Sequence, residues 1–65
     1  MKVLEKEFVT DEMGSIPWEK FEDGIYKIFS ATDVQTGEKV PFYDLPFHVY
    51  LPKKNAKYII EYGVK

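Results

Sequence analysis

Four glycines and four prolines break this 65-residue chain into short pieces, at Gly14, Pro17, Gly24, Gly37, Pro41, Pro46, Pro52 and Gly63. The stretches between them are rich in β-branched and aromatic residues. Turn residues this dense, alternating with such runs, predict short strands. Lys2 to Val9 is the first run, with Leu4 and Phe8 on one face and Glu5 and Glu7 on a solvated one. Ile25 to Val34 is the best-formed strand, followed by Gln35-Thr36-Gly37-Glu38, where Gly37 suits the positive φ of a hairpin turn. Lys39 to Tyr43 returns as its partner, with Pro41 confined to an edge or a bulge because it lacks an N–H. Phe47 to Leu51 alternates, predicting Phe47, Val49 and Leu51 inward and His48 and Tyr50 outward. Lys57 to Val64 is the last strand, and burying Tyr58, Ile60 and Tyr62 hides its more apolar face.

One segment reads differently. Ser15 suits a helix N-cap, Pro17 the first turn, and Gly24 the left-handed residue past the end. Trp18 and Phe21, three apart, would share a face. A short helix near 16–23 is therefore expected. The predicted whole is mainly β: a small, five-stranded, antiparallel, strongly bent sheet or open barrel, SH3-like or OB-like. The connections are too short for parallel crossovers. A chain this short is a single domain, residues 1–65.

Folding at this size buries only about 60% of the surface the unfolded chain exposes. The sequence has no cysteine, so disulfides and thiolate metal sites cannot supplement the core. Large rings must fill it. There are eleven: Phe8, Trp18, Phe21, Tyr26, Phe29, Phe42, Tyr43, Phe47, Tyr50, Tyr58 and Tyr62. That is more than one small core easily hides, and the surplus is expected on a contact face. No apolar run is long enough for a membrane span or a leader, so a cytoplasmic chain with no membrane partner is expected.

Catalysis finds little support. His48 is the sole histidine, and neither Ser15 nor Ser30 sits in a nucleophile elbow. Asp44 with His48, or Asp11 with Glu12, supplies too few ligands for zinc and the wrong spacing for a calcium loop. Glu19 with Glu22 and Asp33 with Glu38 read as solvated charges. There is no glycine-rich phosphate loop. The expectation is no enzyme, no metal and no cofactor.

Binding remains. In the second half rings interleave with lysines: Tyr43, His48 and Tyr50 would share an outer face, with Lys53, Lys54 and Lys57 in the following turn. That combination suits single-stranded DNA or RNA. A protein partner suits the acidic stretch from Asp11 to Asp23, in which Trp18 and Phe21 would be anchors, and an exposed edge strand offers a route to a homo-oligomer. Residues 1–23 carry three lysines against seven acids, a net of −4, and residues 24–65 six against four, a net of +2. The total is −2, and all nine cations are lysine. Without arginine there is no bidentate fork for guanine edges, which argues against reading a duplex. Polyanion affinity is largely phosphate neutralisation, and this chain has few cations to supply it. The sequence therefore favours a small protein-binding adaptor or inhibitor, of the kind phages and mobile elements carry, over a nucleic-acid binder.

Overall fold

The computed structural model describes residues 2–21 and 24–65. Among these described residues lie seven strands: β1 (Lys2–Val9), β2 (Ser15–Pro17), β3 (Ile25–Asp33), β4 (Lys39–Val40), β5 (Tyr43–Asp44), β6 (His48–Tyr50) and β7 (Lys57–Val64). They form two sheets, a four-stranded one in the order β1-β7-β3-β4 and a three-stranded one in the order β2-β6-β5. Every pairing is antiparallel. The mainly β, antiparallel character is as expected, but the strands form two sheets rather than one bent sheet or open barrel of five, SH3-like or OB-like, and no closed barrel forms among the described residues.

The extra strands have a local cause. The run from Lys39 does not stay together past Pro41. Lys39 and Val40 pair with Thr32 and Ala31 of β3, whereas Tyr43 and Asp44 pair with Tyr50 and Val49 of β6. Proline cannot continue a ladder, so the chain leaves one sheet there and joins the other.

The expected helix near 16–23 is a single 3-10 turn, Trp18–Lys20. Glu22 and Asp23 lie outside the described residues. Ser15 does not cap it: Ser15 to Pro17 form β2, and the Ser15 hydroxyl donates instead to Asp11 Oδ2 at 2.7 Å. Pro17 itself is extended, with φ −64° and ψ 143°. The short β2 edge wins because its pairing with β6 puts Ile16 opposite Val49, both fully buried.

The centre of the core is β7. Tyr58, Ile60 and Tyr62 are each fully buried, as their alternation predicts, and Val64 continues the row. They face Leu4 and Phe8 of β1 and Ile25, Ile28 and Ala31 of β3. The three β3 residues are spaced by three rather than two. Register shifts between Ile25 and Lys27 and between Ile28 and Ser30 explain this, because each inserts one residue. The inserted residues are Tyr26 and Phe29, both placed on the solvent side.

Four rings close the core at one end. Phe8 lies 4.4 Å from Phe21, Phe21 5.2 Å from Tyr62 edge-on, and Trp18 5.4 Å from Phe21, measured between centroids. The Tyr62 hydroxyl is buried with no hydrogen-bond partner among the described residues. Such a group costs about 1–3 kcal/mol, which the burial of its ring offsets. Among the described residues, no helix is long and apolar enough to cross a membrane.

Candidate functional site

Three of the predicted binding residues meet on the small sheet. Tyr43 of β5 stands opposite Tyr50 of β6, and Ser15 of β2 completes the row. His48 lies two residues before Tyr50, on the same face, with its ring edge-on to the tyrosine at 4.7 Å. The opposite face of this sheet carries Ile16 and Val49 into the core. The rings therefore sit on a sheet whose other face is packed into the core. Tyr43 is 71% exposed, and His48 and Tyr50 are half-buried.

Phe47 joins the exposed set and corrects the expected alternation. It is 81% exposed rather than inward. β6 begins only at His48, and the turn through Leu45 and Pro46 precedes it. Backbone bonds fix that turn: Leu45 N–H donates to His48 O at 2.9 Å, and Trp18 N–H to Phe47 O at 3.4 Å. Leu45 is exposed as well.

Trp18 and Phe21 do not form the acid-flanked anchor pair expected of them. Their rings touch, but Phe21 is buried in the core. Trp18 is half-buried and its indole N–H donates to Leu45 O. Asp11 is also spoken for. Its carboxylate accepts from the N–H groups of Met13 and Ser15, at 2.8 and 2.9 Å, and from the Ser15 hydroxyl. The Ser15 N–H, then its hydroxyl, then the Met13 N–H hold the Asp11 carboxyl below its ordinary value of 3.8.

Lys53, Lys54 and Lys57 gather at a different place. They line a shallow cleft with Asp33, Val34, Gln35, Asn55 and Ala56, and no ring lines it. The loop carrying them is firmly held. The buried Thr10 hydroxyl donates to Lys53 O and accepts from Ala56 N–H, both at 2.9 Å, and Asn55 N–H donates to Asp11 O at 3.0 Å. Lys53 is consumed in an ion pair, its Nζ 3.0 Å from Oδ2 of the buried Asp33. Asp33 also accepts from Gln35 N–H at 2.8 Å. Thr10 did not stand out in the sequence, and Asp33, expected with Glu38 to be a solvated charge, is instead buried and paired. An aspartate heading the Val-Gln-Thr-Gly turn is a readable turn-former, but its lysine partner lies 20 positions away.

The ion pair makes acid stability dependent on this cleft. The hydrogen bond from Lys53, and then that from Gln35 N–H, hold the Asp33 carboxyl below its ordinary 3.8, and Asp33 raises Lys53 above 10.5. A carboxylate with a depressed folded pKa contributes stability above its unfolded value, and that stability is lost as pH falls through the folded value. The matching lysine contribution is present below 10.5 and lost as pH rises through the raised value. The thermal midpoint of Asp33→Asn should therefore fall short of the parent's at neutral pH and converge on it well below 3.8. Parallel curves across that range would show that Asp33 titrates alike in both states.

Among the described residues, no three His, Asp or Glu side chains are grouped to hold a metal ion. No family model, no curated protein and no solved structure matches this chain.

Proposed function

We propose that the chain is a non-enzymatic protein-interaction module whose contact surface is the outer face of the small sheet. The observation that carries this reading is the exposure of Tyr43 and Phe47, at 71% and 81%, beside His48, Tyr50 and Leu45. Tyrosine is a common interface anchor. Each ring offers roughly 150–250 Å² of contact. Covering both gains on the order of 5–10 kcal/mol gross at ~25 cal/mol per Å², comparable with the rigid-body cost of association, about 4–15 kcal/mol. A partner must therefore also cover the neighbouring half-buried residues.

Two observations weigh against the alternative, a single-stranded nucleic-acid binder built on Tyr43 and Tyr50. The rings and the lysine cleft have no lining residue in common, and Lys53 is already paired with Asp33. Phosphate neutralisation at that cleft falls to Lys54 and Lys57.

A photo-reactive benzophenone side chain placed at Tyr43, at Phe47 and, as a control, at exposed Glu38 separates the readings. The expected result is a discrete protein adduct from positions 43 and 47, absent from 38 and resistant to nuclease. A nuclease-sensitive adduct, together with salt-dependent fluorescence changes on titration with oligothymidine, would assign the face to nucleic acid. Equal labelling at all three positions, or no adduct, would remove it as a contact surface.

A further inference from the structure

Three of the four sheet edges are short and bounded by proline. β2 contains Pro17, β4 ends just before Pro41, and β5 is followed two residues later by Pro46. The fourth is β1, which is eight residues long and contains no proline. No strand pairs with its outer side among the described residues. Long edges of this kind invite strand addition.

A second copy is a poor occupant. Antiparallel pairing about a two-fold axis normal to the sheet keeps each face continuous, so paired residues must share a face. The register centred on Glu5 puts Glu5 against Glu5. The register centred on Lys6 puts lysine on lysine and Glu5 on Glu7. Like charges directly opposite are destabilising, so both central registers are opposed.

Charges on an edge strand often serve only to prevent pairing. Glu61 does not fit that explanation. It belongs to β7, inside the sheet, and lies directly across from Glu5 on the solvent face. A carboxylate there guards no edge, and like charges directly opposite are unfavourable; on its other side Glu61 stands opposite Ser30, with Lys27 one row further on. Glu7 is the next residue of β1 on the same face, opposite Ile59. The three acids do not close into a metal site; they form a stripe along the β1–β7 ladder. The bulged residues Tyr26 and Phe29 border the same face, with Tyr26 over Gly63 and its ring edge-on to Phe29 at 6.3 Å.

We propose that the free edge of β1 accepts an extended basic segment of another protein as an additional strand, with basic residues two apart set against Glu5 and Glu7 and the cost of the Glu5–Glu61 juxtaposition relieved on binding. This surface lies on the four-stranded sheet and stands independently of the ring face.

The probe is a capped peptide alternating arginine with valine, compared with its glutamate counterpart by amide-resolved NMR. The arginine peptide should shift the amides of residues 2–9, slow their hydrogen exchange, and bind more weakly as salt rises. Glu5→Lys/Glu7→Lys should weaken binding by about tenfold or more. Glu61→Gln should also weaken it while raising the unfolding midpoint, a pairing of effects that edge protection alone does not produce. Tyr43→Ser/Phe47→Ser should leave binding unchanged, so failure here is distinct from failure of the ring face. The proposal is overturned if the two peptides bind alike, if neither binds, if the shifts centre away from β1, or if sedimentation shows β1-dependent dimers.

Discussion

Replacing Gly14 with alanine should cost the domain about 2–5 kcal/mol, and Gly37→Ala no more than about 1–2 kcal/mol. Both glycines have positive φ, +79° and +76°, so both substitutions incur the left-handed penalty. The difference is what a Cβ would meet. At position 37 nothing lies within 4 Å, whereas at 14 the Leu51 carbonyl oxygen lies at 2.9 Å. That oxygen is backbone and cannot rotate away. Gly14 is also bonded on both sides: its N–H donates to Asp11 O at 3.1 Å, and its carbonyl accepts from Leu51 N–H at 2.8 Å. It therefore joins the start of β2 to the end of β6. A domain of this size has a total stability of about 3–10 kcal/mol, so the Gly14 change consumes a large part of it. Urea unfolding of the two variants measures the contrast directly. Equal losses would mean that the junction between β2 and β6 yields, and that the small sheet supporting Tyr43 and Tyr50 is not rigid.

How much of this was readable in advance follows from where each interaction originates. The buried face of β7 was legible, because Tyr58, Ile60 and Tyr62 alternate without interruption and only one phase is apolar throughout. Tyr50 facing away from Val49 was legible from the alternation of His48, Val49 and Tyr50, whereas Tyr43 was placed beside it only as a companion ring, in a run from Lys39 that the structure splits at Pro41. β3 was legible as a strand but not in its facing: the two bulges convert the expected period of two into the spacing Ile25, Ile28, Ala31. Bulge positions depend on the partner strand, so no local pattern announces them. The helix expected near 16–23 had sound local signals in Ser15 and Pro17. They were overridden by the burial of Ile16 against Val49, some thirty residues away in sequence. Phe47 was misplaced because the alternation was extended one residue before β6 begins. Within the acidic stretch, the use of Phe21 and Asp11 is set by packing: Phe21 belongs to the core, and the Asp11 carboxylate is occupied by its own turn. Likewise the lysines were visible, but the Lys53–Asp33 pair that removes one of them from service is a tertiary contact.

The account rests on a division of the aromatic side chains. Phe21, Tyr58 and Tyr62 are buried at 6%, 0% and 0% exposure, while Tyr26, Phe29, Tyr43 and Phe47 are exposed. Buried rings react with solvent species only when the domain opens. At a stability of about 3–10 kcal/mol, the open population is below about one in a hundred. Hydroxyl-radical footprinting of the isolated chain, mapped residue by residue by mass spectrometry, reads this division in a single experiment. Tyr43 and Phe47 should oxidise fastest among the rings, Tyr26 and Phe29 next, and Tyr58 and Tyr62 at least about a hundredfold more slowly than Tyr43. Protection of Tyr43 and Phe47 to the level of Tyr58, or oxidation of Tyr58 as fast as Tyr43, would contradict the division and with it the contact surface proposed here.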